Sequence, residues 1–376
     1  MHRCDQMRQF LLSHREEILA DTLFLARHQS PSSNKALTAQ CAQAIQTLMR
    51  SRLQAEPEAI FPQESFGPHL SYRIGQGRPI ALMLGHYDTV WNPDTLPLVQ
   101  EGNLLRGPGV YDMKYGIVAG IWALLALQHT GGLPGCFGLF FNSDEEMGSR
   151  SSHACFEPIA KAYPNALILE PASAGGEVKI GRKCLGEFHI QIHGIAAHAG
   201  TDYAKGRSAI LEAAYLTQEL FAMTDLDKGI TVNVGVISGG TKRNVIAAEA
   251  ELIIDTRVLT APDGQRITEA IYALKPHLDG VQLEISGGLT RPPFEFTPAN
   301  QGLFETAKTA AAELGRQLKG IRVGGGSDGN FTSTWGIPTL DGLGPVGDGA
   351  HAVTEHMLIE ESLEHTAFLA NLLTKL

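Results

Sequence analysis

Two histidines and a set of carboxylates stand where the apolar runs of this chain stop. His86 and Asp88 close the run 80–84, Asp144-Glu145-Glu146 follow the run 136–141, Glu170 follows 166–169, Asp112 precedes a long apolar stretch, and His351 lies in a Gly-Ala-His turn. Side chains alternate along an extended chain, so His86 and Asp88 point the same way, and the carboxylate can orient the imidazole or share its metal. Each piece has a bland account: a hydrogen-bonded turn at His86, a helix cap at Asp112, a solvated acidic turn at 144–146. Their recurrence argues against it, because the carboxyl ends of strands are where open α/β sheets form their ligand crevice. Acids collected there repel one another unless cations neutralise them. His86, Asp112, Glu146, Glu170 and His351 offer mixed nitrogen and oxygen donors that suit zinc, and a carboxylate shared by two ions suits a two-metal hydrolase. Glu145 and Glu146 are consecutive and diverge, so that one can bind metal while the other faces substrate as a proton acceptor.

These residues need a scaffold, and the chain has material for two domains: 376 residues, 43% of them hydrophobic. A net charge of −10 argues against nucleic acid or an anionic membrane as the main partner. Residues 1–29 show no signal-peptide core or membrane span, and the five widely spaced cysteines lack any CxxC, which together point to a cytoplasmic protein with reduced thiols. Helical spacing over 6–53 is broken by a Ser/Pro-rich loop at 30–34. A strand at 80–84, a helix at 113–128 and strands at 136–141 and 166–169 follow. The segment 180–293 reads differently, as strand, helix, two strands, helix and strand, the split βαβ order of ferredoxin-like domains. After it the α/β pattern resumes, with a helix at 300–314, a glycine-rich loop at 324–330, a short strand near 339 and a final helix at 359–375. The expected fold is an α/β, mixed-sheet catalytic domain built from 1–179 and 294–376, with an inserted α+β domain at 180–293.

The motifs His86-Tyr87-Asp88-Thr89-Val90, Gly107-Pro108-Gly109 leading to Asp112-Met113-Lys114, Asp144-Glu145-Glu146 with Gly148-Ser149, Glu170-Pro171, and His351 with Glu355 resemble the M20 family of zinc peptidases and amidohydrolases. The resemblance runs from Gly85 to Glu355 in the family's order and looks closest to the glutamate carboxypeptidase, or carboxypeptidase G, branch. It implies two zinc ions, with cobalt or manganese as in-vitro substitutes. Asp112 would bridge them, His86 and Glu170 would hold one, and Glu146 and His351 the other. Glu145 matches the general base, and Asp88 the partner that orients His86; the Asp112–Met113 peptide is expected to be cis. The inserted domain matches a lid that often makes a homodimer, and His198 in Gly194-Ile195-Ala196-Ala197-His198 matches a histidine that reaches the partner subunit's site to stabilise an oxyanion. Asn244, Arg257 and Arg291 match substrate-contacting positions. The Arg291-Pro-Pro-Phe pattern looks like the branch in which this arginine binds a substrate carboxylate. Arg257 reads equally well as a salt-bridge residue at a strand end. Gly325, Gly326 and Ser327 match a loop near the substrate's terminal carboxylate. The chain departs from the family at Tyr115, where a small residue is usual, and at Thr354, usually Asn or Asp. Tyr115 can narrow the pocket or pack beneath the helix.

The expected activity is hydrolysis of an amide bond in a small peptide or N-acyl amino acid, releasing a C-terminal residue such as glutamate. An N-acyl-amino-acid deacylase or a succinyl-diaminopimelate desuccinylase is the nearest alternative within the enzymes. From other classes, a catalytically silent carboxylate-binding dimer and a metal-storage protein both fit less well, since all expected ligands and the base are present.

Overall fold

The apolar runs become the middle of a six-stranded sheet. Cys136–Asn142 is buried along its whole length. It lies parallel to Pro79–His86, which pairs in parallel with Ala166–Ile168 on its other side. Parallel strands of this kind, apolar on both faces, need cover on both sides. Ala59–Phe61 and His69–Ile74, which fall in a polar, glycine-dotted stretch with no clear alternation, extend one edge antiparallel, and Thr339–Leu340 extends the other in parallel. The sheet is therefore mixed, and its three central parallel strands end side by side.

The computed structural model describes residues 2–376. Packing divides the chain into one unit of Met1–Gly181, Phe296–Val323 and Ser327–Leu376, and a second of Arg182–Glu295 with Gly324–Gly326. In the first unit the helix Tyr115–His129 is buried almost all round, and Arg3–Ser13, Arg15–Arg27, Lys35–Leu53 and Ile359–Leu373 all pack against it. The stretch Val110–His129 is long and apolar enough to cross a membrane, yet it is 89% buried inside the protein, as befits a core helix. Its first turn holds Gly116, where a Cβ would come within 2.0 Å of the Leu169 carbonyl. Only glycine lets the helix lie that close to the segment carrying Glu170. Tyr115 packs beneath the helix: it is 1% exposed, and its hydroxyl meets Thr366 Oγ1 at 3.0 Å. The helical spacing over 6–53 resolves into three helices because the chain breaks at His14, where φ and ψ are −103° and 19°.

His365, on the fully buried face of the C-terminal helix, bonds the Gly342 carbonyl through Nε2 and takes a hydrogen bond from Arg316 on Nδ1. Burial and the nearby guanidinium push its pKa down to about 3. The unfolded chain binds a proton at this residue below about pH 6.5 and the folded chain does not, so stability present above that pH is lost on acidification. Relative to wild type, His365→Gln is expected to relieve roughly 2–3 kcal/mol of the acid destabilisation accumulated by pH 4.5. Parallel urea melts at pH 7 and pH 4.5 measure this, and equal pH sensitivity in both proteins would contradict it.

The second unit has strands Cys184–His193, Thr231–Gly239, Glu249–Val258 and Gln282–Arg291 with helices Ala209–Ala222 and Ala261–Tyr272. Its sheet runs 231–239, 249–258, 184–193, 282–291, antiparallel throughout, which is the ferredoxin-like arrangement. Cys184–His193 alternates in burial along its length, with Phe188, Ile190 and Ile192 in a core shared with both helices. The helix Ala261–Tyr272 starts where Thr260 caps it, its hydroxyl accepting from the Asp263 N–H.

Candidate metal centre

The three parallel strands deliver their ends to one place. His86 is the last residue of Pro79–His86, the turn Glu145–Met147 follows Cys136–Asn142, and Glu170 lies two residues beyond Ala166–Ile168. Asp112 arrives from the kinked segment Val110–Lys114 at the head of the core helix, where Asp112 and Met113 leave helical φ and ψ across a cis Asp112–Met113 peptide. His351 comes from the loop before His356–Leu358, with φ at 62°.

Asp112 stands between the two imidazoles. Its Oδ1 lies 3.1 Å from His86 Nε2 and its Oδ2 lies 3.4 Å from His351 Nε2. Glu170 Oε1 is 3.4 Å from His86 Nε2, and Glu146 Oε2 is 3.0 Å from His351 Nε2. Ligand atoms of His86, Asp112 and Glu146 fall within 4.8 Å of one another, as do those of His86, Glu145 and Glu170. All five expected ligands and Glu145 are thus brought together inside the first unit. His86 Nδ1 is 3.0 Å from the Asp88 carbonyl, which can only accept, so Nδ1 carries a hydrogen and Nε2 is the ring atom turned to the cluster.

The Asp88 carboxylate does more than face that ring. Its Oδ1 is 3.4 Å from His86 Nδ1, too long for a strong hydrogen bond, while it accepts from the Glu145 and Glu146 N–H groups at 3.3 and 3.2 Å and from Ser32 Oγ at 2.7 Å. It therefore ties the His86 segment to the acidic turn. Burial opposes charge on His86, but Asp112, Asp88 and Glu170 lift its pKa well above the usual value. Hydrogen bonding to Asp112 and Glu146 lifts His351 to about 11, whereas burial raises Glu146 to about 7. These carboxylates favour positive charge in the pocket, and its oxygen and nitrogen donors fit zinc or a similar divalent metal.

In the second unit, His198 is exposed in a short bridge with Val245, and its Nδ1 accepts from the Gly200 and Thr201 N–H groups. Asn244 is exposed beside it, its carbonyl accepting from the Ala199 N–H. Arg257 pairs with Asp255 at 3.0 Å and donates to the Gly324 carbonyl at 2.9 Å, so the salt-bridge reading holds for part of its guanidinium. Arg291 is 4% exposed, and its Cδ would lie 2.8 Å from a Cβ at Gly326. Sequence reasoning missed Arg182. It is also 4% exposed and donates to the Gly325 and Gly326 carbonyls at 3.2 and 2.8 Å, holding the loop's backbone in place. Nothing in the residues around Arg182 signals this, since its partners lie about 140 positions downstream. Ser327 belongs to the first unit and is fully buried, its hydroxyl donating to Asp341 at 2.6 Å and accepting from the Gly329 N–H. Its hydroxyl is therefore engaged within the protein.

Residues 82–375 match peptidase family M20/M25/M40. The chain is a member of that family. The chain is 30% identical over 287 residues to carboxypeptidase G2 of Pseudomonas sp. (strain RS-16), covering 74% of this chain and 69% of the relative. It is 29% identical over 339 residues to the succinyl-diaminopimelate desuccinylase of Methylococcus capsulatus, covering 82% and 87%. Among solved structures, aminopeptidase PepT of Bacillus cereus superposes with a TM-score of 0.79 at 20% identity, over 96% of this chain and 98% of the other, a likeness of fold. As an M20 protein the chain is a metal-dependent hydrolase of peptide or related amide bonds.

Proposed function

We propose that this M20 enzyme is a di-zinc amidohydrolase of the carboxypeptidase G type, releasing a C-terminal glutamate or similar acidic residue from a small peptide or N-acyl amino acid. The observation that carries the reading is Asp112 set between His86 and His351, with Glu146 and Glu170 on either flank and Glu145 beside them. Similarity to carboxypeptidase G2 and the Arg291-Pro-Pro-Phe pattern support the acidic substrate.

His86 and Glu170 would hold one zinc, Glu146 and His351 the other, and Asp112 both; when bound, such ions polarise the scissile carbonyl and acidify water. Glu145 accepts the proton of the attacking water and returns it to the leaving amine. Asp88 fixes the backbone from which Glu145 and Glu146 diverge. His198 donates to the oxyanion developing in the partner subunit's site, and Arg291 grips the substrate's carboxylate with a fork that a lysine lacks. Asn244, Arg257, Gly325 and Gly326 complete the substrate contacts, with Ser327 shaping the loop from within.

The second unit would also form a homodimer. Its edge strand Thr231–Gly239 exposes Val236 and Ile237, and the helix Ala209–Ala222 exposes Ile210, Leu211, Tyr215 and Phe221. An uncovered edge strand beside exposed apolar side chains is a surface that favours pairing.

A panel of N-acyl amino acids and dipeptides ending in Glu, Asp, Lys or Leu, together with N-succinyl-diaminopimelate, tests the reading through amine release by zinc-loaded protein. Turnover of the acidic series at least about tenfold above the others in kcat/KM, a transition-state difference of roughly 1.4 kcal/mol, is the expected result. Turnover confined to the succinyl substrate would move the assignment to the desuccinylases.

A further inference from the structure

Glu355 is fully buried, and its carboxylate joins three separate segments that each carry a metal-site residue. Its Oε1 accepts from the backbone N–H groups of Tyr111 and Asp112, both at 3.2 Å. Its Oε2 accepts from the indole Nε1 of Trp91 at 2.5 Å. Trp91 is five residues beyond His86, Asp112 is itself in the cluster, and Glu355 is four residues beyond His351. One side chain therefore holds together the segments that bring the two imidazoles to either side of the shared aspartate. Asp88 makes the complementary link, from the His86 segment to Glu145 and Glu146.

We infer that Glu355, clamped by the Trp91 indole, is a positioning residue that presets the spacing of His86, Asp112 and His351 for metal. This rests on the metal site proposed above, to which it adds a prediction about affinity. The division of labour between the two oxygens gives the inference its test. In Glu355→Gln, the amide oxygen can keep the Tyr111 and Asp112 N–H groups, but the NH2 must then face the Trp91 N–H, donor against donor. Removing that donor relieves the conflict. Glu355→Gln on its own should therefore bind zinc more weakly than Glu355→Gln combined with Trp91→Phe, although the double variant has lost more hydrogen bonds. A side chain that merely stabilises the fold leaves zinc affinity at the wild-type level in every variant that folds.

The experiment is zinc affinity by chelator competition on the full-length wild type, Trp91→Phe, Glu355→Gln, Glu355→Ala and the double variant, with circular dichroism to verify folding. Supporting partners of metal ligands typically contribute 10–100-fold in affinity, so a loss on the order of 10–100-fold is expected for Glu355→Ala and a smaller one for Glu355→Gln, partly restored by Trp91→Phe. Tryptophan emission supplies a second readout: zinc titration should change the emission of wild type and leave Trp91→Phe markedly less responsive, as Trp122 and Trp335 lack this link. Wild-type affinity in a folded Glu355→Gln, or a double variant weaker than Glu355→Gln, overturns the inference while leaving the metal site standing. Failure of the wild type itself to bind zinc would overturn the metal-site reading instead.

Discussion

Glu145→Gln will lower kcat by about 100- to 10,000-fold, the usual worth of a positioned proton-transfer group, while zinc content stays at the wild-type level. The second half of that expectation is the discriminating one. Glu145 comes within 4.8 Å of the ligand atoms of both His86 and Glu170, so position alone also allows it to be a metal ligand. A glutamine keeps the length and shape of the side chain and removes only its ability to accept a proton at neutral pH. If it were a ligand, the variant would lose metal along with turnover. Metal analysis of the purified variant beside steady-state rates separates the two cases, and zinc loss would reassign Glu145.

Asp112→Asn will abolish zinc retention at both positions. Its two oxygens face different histidines, and an asparagine offers one oxygen and no charge. The loss in affinity should exceed the 10–100-fold typical of groups that only support a ligand. Retention of one ion per chain would show that Asp112 serves a single metal. The same residue governs the behaviour of chelated wild type. His351 is raised to about 11, and His86 well above its usual value, by carboxylates that include Asp112. The folded chain thus keeps protons that the unfolded chain releases above about pH 6.5, and stability fully present below that pH is lost as the pH climbs toward 11. Urea melts of chelated protein from pH 6 to 10 should show this fall, and in Asp112→Asn the slope should be shallower.

The parts of this site that could be read from sequence are those whose signal is local. His86, Glu145, Glu146 and Glu170 each terminate an apolar run, and the runs prove to be adjacent parallel strands, so a rule about strand ends was enough to group them. The split βαβ order of the inserted unit was legible for a similar reason, through alternation along long strands such as Cys184–His193. What escaped is what depends on partners far along the chain. Arg182 looks like any basic residue at a strand end until the Gly325 and Gly326 carbonyls are placed against it, and Trp91 carries no motif without Glu355, 264 positions away. At Ser327 the preceding glycines signal a loop, and the inward hydrogen bond of its hydroxyl to Asp341 depends on a residue fourteen positions downstream. The short strands at 59–61 and 69–74 left little periodic pattern to detect.

The core helix Tyr115–His129 has a further consequence for how the protein is made. One of the helices that covers it, Ile359–Leu373, leaves the ribosome only after the whole inserted unit has been synthesised. Until then the nascent chain carries a stretch apolar enough to pass for a membrane span, without part of its final cover. Contacts between such distant segments form slowly, and exposed apolar surface invites aggregation in the meantime. Ribosome-stalled chains ending before 359 should therefore be retained by chaperones and digested readily by protease, whereas the inserted unit, whose strands and helices are contiguous in sequence, can already be folded at that stage.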